Sequence, residues 1–169
     1  MKTKLTLFLI SSIIFTVLLS SCQSLPEPAS SSDTLFVVNI DRSTEEGGSI
    51  FGTLVLTVAP ATDPFDTTEL SLNASKSFEF VQGLAPGTYV ATALRWEYQE
   101  TSRVQTYDPP TDAFSIVPGG LTIYPYRFSY EVTDGRMSFH WRRMNPAQRQ
   151  QFVDDELAAE ESFAAWAVK

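Results

Sequence analysis

The chain has one cysteine and one histidine in 169 residues. A lone cysteine forms no intramolecular disulfide, so an oxidising compartment adds no cross-link to the fold. A lone histidine cannot supply a His-based metal set, and no second cysteine is available to complete one. Basic residues are also scarce: twelve Lys and Arg stand against twenty Asp and Glu, for a formal net charge of −8. That balance suits phosphate binding poorly, and no basic stripe compensates, so nucleic acid is excluded as a partner. No apolar run is long enough to span a bilayer. Residues 5–19 carry no charge, but a helix of that length reaches only about 22 Å against a hydrocarbon core of about 30 Å.

What that short run does resemble is the apolar centre of a secretory signal, because Lys2 and Lys4 precede it as a cationic start. Leu19-Ser20-Ser21-Cys22 follows at once. This motif resembles the lipobox of bacterial lipoproteins: an aliphatic residue, two small residues and then a cysteine. The resemblance implies cleavage between Ser21 and Cys22. It also implies a covalent diacylglyceryl group on the Cys22 thiol and an N-acyl chain on the freed amine, with no other cofactor and no metal. Two or three acyl chains would hold the mature protein firmly at a membrane. In that family an aspartate after the cysteine retains the protein in the inner membrane. Gln23 stands there instead, which implies the outer membrane in a host that has one. Loss of Lys2 and Lys4 would leave ten basic against twenty acidic residues, so no electrostatic contact with anionic lipid is expected.

The remaining length predicts one domain. Residues 1–21 read as the signal peptide and 22–33 as the lipidated cysteine with a flexible, Ser- and Pro-rich tether. Fully extended, residues 23–33 would reach about 36 Å. From Thr34 onward the apolar period is two. Phe36, Val38 and Ile40 alternate with Val37, Asn39 and Asp41. Ile50, Leu54, Leu56 and Val58 share a face opposite Thr53 and Thr57. Phe128, Tyr130 and Val132 alternate with Ser129, Glu131 and Thr133, and Met137, Phe139 and Trp141 with Ser138, His140 and Arg142. Strands with one buried face are expected at each. Asp134-Gly135 between the last two runs predicts a hairpin, and Pro125 predicts an edge or a bulge. Short strands, Gly/Pro turns and no intervening helix predict a mainly β, antiparallel sandwich over 34–143.

Two segments sharpen that expectation. Residues 77–93, with Leu84-Ala85-Pro86-Gly87-Thr88-Tyr89 at their centre, are similar to the strand–turn–strand of transthyretin-like domains, including the carboxypeptidase regulatory type. Residues 114–123 resemble the later hairpin of that fold. The resemblance implies an Ig-like sandwich and no catalytic residues, with Gly87 supplying a positive φ and Tyr89 packing back across the hairpin. After the strands, Asn145-Pro146 reads as a helix cap with proline at the first position. An acidic amphipathic helix is expected over 145–168, with Phe152, Ala159, Phe163 and Trp166 on one side. It would pack on a sheet or dock a partner.

Chemistry is harder to find. His140 falls on the polar phase of its strand, and no serine sits in a nucleophile-elbow context. Asp63 and Asp66 lack the spacing of a calcium loop. The aromatic residues Trp96, Tyr98 and Tyr107 are the candidate ligand contacts, as rings that could stack on a saccharide or anchor an envelope protein. The segment 99–112, polar with a double proline, is the candidate functional loop. The expectation is therefore a non-enzymatic, lipid-anchored binding or structural module. A saccharide- or peptidoglycan-binding module and a hydrolase with an unrecognised carboxylate site stand as alternatives.

Overall fold

The computed structural model describes residues 25–41, 53–73, 76–97, 104–133 and 136–169. Among the described residues, ten strands and one short helix follow each other: β1 (Thr34–Asp41), β2 (Thr53–Pro60), β3 (Thr68–Leu72), β4 (Phe78–Gln82), β5 (Gly87–Glu97), β6 (Val104–Tyr107), β7 (Phe114–Ile116), β8 (Gly120–Thr133), β9 (Arg136–Arg143), α1 (Pro146–Phe152) and β10 (Ala167–Val168). The strands form two five-stranded sheets. In the first the order is β10-β8-β1-β4, with β9 also on β8; in the second it is β3-β2-β5-β6, with β7 also on β5.

The two sheets share one core. Phe36, Val38 and Ile40 of β1 and Tyr124, Phe128 and Tyr130 of β8 meet Leu54, Leu56 and Val58 of β2 and Tyr89, Leu94 and Trp96 of β5. The alternation in the sequence produces this directly, since every second side chain of a strand points to the same face. The mainly β expectation holds in its coarse form. The expectation of purely antiparallel pairing does not, because β1 runs parallel to β8, and so does β10. Nor does β1 have only one buried face. Leu35 and Val37 enter a second apolar cluster on the other side of the sheet, with Leu25, Leu121, Ile123, Phe152, Val153, Leu157 and Trp166. A strand covered on both faces reads as an almost continuous apolar run, as Leu35-Phe36-Val37-Val38 does.

The motifs that resemble transthyretin-like hairpins are connected differently here. β4 pairs with β1 in the first sheet while β5 pairs with β2 in the second. The turn at residues 83–86 therefore carries the chain from one sheet to the other. Likewise β7 pairs with β5 and β8 with β1, so residues 117–119 make a second crossing. Positive φ is found at Gly83 (83°) and Gly119 (68°), not at Gly87. Tyr89 packs inward on Phe114, rings 6.2 Å apart. Around Pro125 the register of β8 against β1 shifts between Val37 and Asn39, the bulge that a proline without an N–H requires. The β8–β9 pairing continues to Thr133 opposite Arg136, flanking the Asp134-Gly135 turn, which lies outside the described residues.

Both chain ends depart from expectation. The cap at Asn145 forms: its side chain accepts from the Gln148 N–H at 2.9 Å, and Gln148 Oε1 accepts from the Asn145 N–H at 3.0 Å. But α1 is only seven residues long. It widens into a single π turn over Val153–Leu157, then gives way to turns, a 3-10 turn at Phe163–Ala165 and the short strand β10. The expected stripe fails with it. Ala159 is exposed, whereas Val153 and Leu157 are buried. A straight helix to 168 would carry Trp166 away from the sheet. The bends return it to the cluster around Leu35 and Val37. The expected flexible tether over 22–33 also differs from residue 25 on. Leu25 is 2% exposed, its carbonyl accepts the Ser162 hydroxyl, and the Pro26 carbonyl accepts Trp166 Nε1 at 2.7 Å.

Candidate functional site

A cleft of about 310 Å³ opens where α1 crosses the outer face of the first sheet. Its floor comes from neighbouring positions of two parallel strands, Asn39 and Asp41 of β1 and Arg127 of β8, where Asn39 sits opposite Arg127 in the register. Its far wall is Gln148 and Gln151 on α1 with Asp155 and Glu156 of the π turn. The sequence places polar groups here because the outward phase of β1 changes character: Leu35 and Val37 lie under the C-terminal layer, and Asn39 and Asp41 lie beyond its edge.

Arg127 Nε lies 3.3 Å from Asp41 Oδ2, with both side chains partly exposed, and the angle is not that of a hydrogen bond. Such a half-exposed pair contributes little to stability. Gln151 Nε2 donates to Asp155 at 3.2 Å. Asn39 is different. It is only 5% exposed, and it lines the cleft. Its amide group can donate two hydrogen bonds and accept at its oxygen. The cleft thus presents an amide beside one guanidinium and three carboxylates.

The residues singled out in the sequence lie elsewhere. Trp96 is a core residue at 6% exposure, its ring edge-on to Phe139 at 5.9 Å. Tyr107 is half-buried, 4.5 Å from the same Phe139, and its hydroxyl donates to Gln105 Oε1 at 2.8 Å. These two rings close one end of the shared core instead of forming an open stacking platform, since β5 directs Trp96 inward with Leu94. Tyr98, Ser21, Cys22 and residues 99–103 lie outside the described residues. His140 is exposed on β9, 3.2 Å from Ser138 Oγ. Asp63 and Asp66 share an exposed turn in which Asp63 Oδ1 accepts from the Phe65 N–H at 3.1 Å. Among the described residues no group of three or more His, Cys, Asp or Glu is placed to hold a metal ion.

A second polar cluster is structural in character. The Tyr126 hydroxyl donates to Asp112 Oδ2, Arg143 Nη1 lies 3.2 Å from the same oxygen, and the Arg143 guanidinium stands 5.9 Å from the Tyr126 ring centroid. The hydrogen bond to Asp112, more than burial, raises the Tyr126 phenol above its ordinary range. The cluster fastens the stretch before β7 to β8 and β9. Nothing in the sequence pattern pointed to Asn39 or Arg127. The one signal was a polar residue at the third outward position of an otherwise apolar strand.

No family model matches the chain, and no curated protein is similar to it. Among solved structures, the chain is similar to a leucine-rich repeat protein from Bacteroides thetaiotaomicron, at 16% identity and a TM-score of 0.33, over 56% of this chain and 13% of that one.

Proposed function

We propose that the chain is a lipid-anchored, non-enzymatic binding module of the bacterial cell envelope, with Cys22 carrying the lipid and the cleft at Asn39 taking a saccharide of the envelope. The anchor rests on the lipobox-like Leu19-Ser20-Ser21-Cys22 after a short apolar run. The observation that carries the binding reading is the polar cleft itself, where Asn39 lies beside Arg127, Gln148, Gln151 and three carboxylates. Sugar hydroxyls both donate and accept, so they suit a wall that mixes amides, carboxylates and a guanidinium. With Gln23 after the cysteine, the outer membrane is the expected address. In the same reading, the two sheets facing one core are a transthyretin-like or Ig-like sandwich whose first sheet has become mixed.

Calorimetric titration of the detergent-solubilised full chain with peptidoglycan fragments and other envelope saccharides tests this. Binding should weaken about tenfold, roughly one hydrogen-bonded group, in Asn39→Ala. Absence of any binding, or binding indifferent to Asn39, overturns the saccharide reading. Asp41, Asp155 and Glu156 in one cleft favour one rival, a hydrolase. Turnover of the saccharide that disappears in Asp155→Asn or Glu156→Gln would establish it instead. Cys22→Ser should release the protein from the membrane fraction.

A further inference from the structure

The residues that hold Leu25 in place also decide how an anchored domain would sit. Only three chain steps separate Cys22 from Leu25, so the lipid-bearing residue lies within about 11 Å of a buried side chain. The reach of about 36 Å expected from a free tether is not available. Leu25 is packed beneath the C-terminal segment, among Leu35, Val37, Leu121, Leu157 and Trp166. Two hydrogen bonds fasten the adjoining backbone, from Ser162 to the Leu25 carbonyl and from Trp166 to the Pro26 carbonyl. The exit point is therefore on the outer flank of the first sheet, while the second sheet lies on the far side of the shared core, about 10 Å further away.

The surface beside that exit point is unlike the rest of the molecule. The last seven residues, Phe-Ala-Ala-Trp-Ala-Val-Lys, contain no acid and one cation, in a chain of net charge −8. Ala164, Ala165 and Ala167 are exposed, and Val168 is 40% exposed. The acids of the C-terminal segment, from Asp154 to Glu161, all lie upstream of this patch.

We propose that this face, formed by Ala164, Ala165 and residues 167–169 above the buried Leu25, is the membrane-facing surface of the domain and rests on a lipid bilayer. The proposal depends on the lipid anchor at Cys22. The short leash supplies proximity, and small apolar side chains with Lys169 suit a headgroup interface. The upstream acids oppose anionic lipid, so contact is closest on zwitterionic membranes. The cleft at Asn39 belongs to the same flank, and ligand would enter it from the side, along the membrane plane.

The test uses the full, lipidated chain in zwitterionic vesicles containing a headgroup-attached quencher. Because lipid consumes the only native thiol, Ala164→Cys and Ser71→Cys each give a single labelling site, the second on the outer face of the second sheet. Fluorescence at position 164 should be quenched several-fold more strongly than at 71. Equal quenching, or stronger quenching at 71, overturns the proposal. A Gly/Ser insertion of about ten residues between Gln23 and Ser24, which adds roughly 17 Å of mean reach, should bring position 164 down to the value at 71. Quenching unchanged by the insertion overturns the leash as its cause. Quenching at 164 that falls as protein density rises would mean that a second copy covers the face, which also overturns it. The mass of the N-terminal peptide separates the two readings. A free Cys22 thiol defeats the anchor and the docking face together, whereas a lipidated Cys22 with equal quenching defeats only the docking face.

Discussion

β1 divides its side chains between two apolar clusters that differ in how they are built. Phe36, Val38 and Ile40 enter the space between the sheets, where both sheets contribute and aromatic rings interlock. Phe36 and Phe114 stack at 5.0 Å, and Phe128 and Trp141 lie 4.9 Å apart. Leu35 and Val37 enter the outer cluster, where one sheet face is closed by the two ends of the described chain. The inner cluster is held by ladders of backbone hydrogen bonds on both sides. The outer one is held mainly by side chains of segments with few backbone bonds to the sheet, among them the two-residue β10–β8 pairing, Met144 N–H to the Pro125 carbonyl at 2.9 Å and Lys169 N–H to the Leu121 carbonyl at 3.0 Å. Segments of the second kind belong to the low-stability end of a protein's opening spectrum. The inner cluster should therefore report global unfolding, and the outer one a smaller, local opening.

The largest effect is expected inside. Phe36→Ala removes a fully buried ring that stacks on Phe114 and meets Tyr124 edge-on, and should cost about 3–5 kcal/mol. Denaturant unfolding followed by tryptophan fluorescence and by far-UV circular dichroism should shift together. A shift in one probe alone would break the distinction. Leu157→Ala in the outer cluster should cost about 2–5 kcal/mol, but as a separate early transition. Hydrogen exchange should accelerate over residues 153–169 and leave β2 and β5 protected. Uniform acceleration across both sheets would merge the two clusters into one unit.

Smaller effects sharpen the role of the N-terminal segment. Gly119 has φ of +68°, and a Cβ there would overlap the Ser31 carbonyl oxygen. Gly119→Ala should cost about 1–3 kcal/mol and displace residues 29–33, read as lost amide protection there in hydrogen exchange. The smallest effect concerns pH. The Ser30 hydroxyl and the Ala29 N–H donate to Asp33 and hold its carboxyl below the usual 3.8. A depressed carboxyl stabilises the fold fully above its unfolded value, and that contribution disappears as pH falls through its folded value. Amide exchange at Ala29 and Ser30 should therefore quicken below pH 3.8, more steeply than in Asp33→Asn, where acid should change little. Identical profiles would deny this turn any role.

Much of the inner cluster was legible in the sequence. The alternations at 36–40, 54–58 and 128–130 are the inward phases of β1, β2 and β8, because a two-residue period is local to the strand. Pro125 announced its bulge and Asn145-Pro146 its cap for the same reason. The partners were not legible. Leu84-Ala85-Pro86-Gly87 reads equally well as a hairpin turn or as a crossing between sheets, since turn chemistry is set by a few residues and pairing by distant ones. Trp96 ends its strand as either a core ring or an exposed one, and its burial depends on Phe139, forty-three positions later. Asn39 could not be singled out at all. Its place in the cleft follows from where the C-terminal layer stops.

By itself the sequence determined the composition-level facts and the local ones: an acidic chain with a single thiol beside a lipobox-like motif, strands with a two-residue period, and a capped helix start. These depend on neighbours within a few residues, so the chain carries them wherever it goes. Only the tertiary structure decided that β1 and β8 run parallel, that residues 158–168 abandon the helix to bring Trp166 back to the sheet, and that Leu25 is buried instead of free. Each of those outcomes is a competition between local preference and apolar area removed from water by residues more than eighty positions apart. In such competitions burial prevails over local helix preference, which differs among ordinary residues by only some tenths of a kcal/mol.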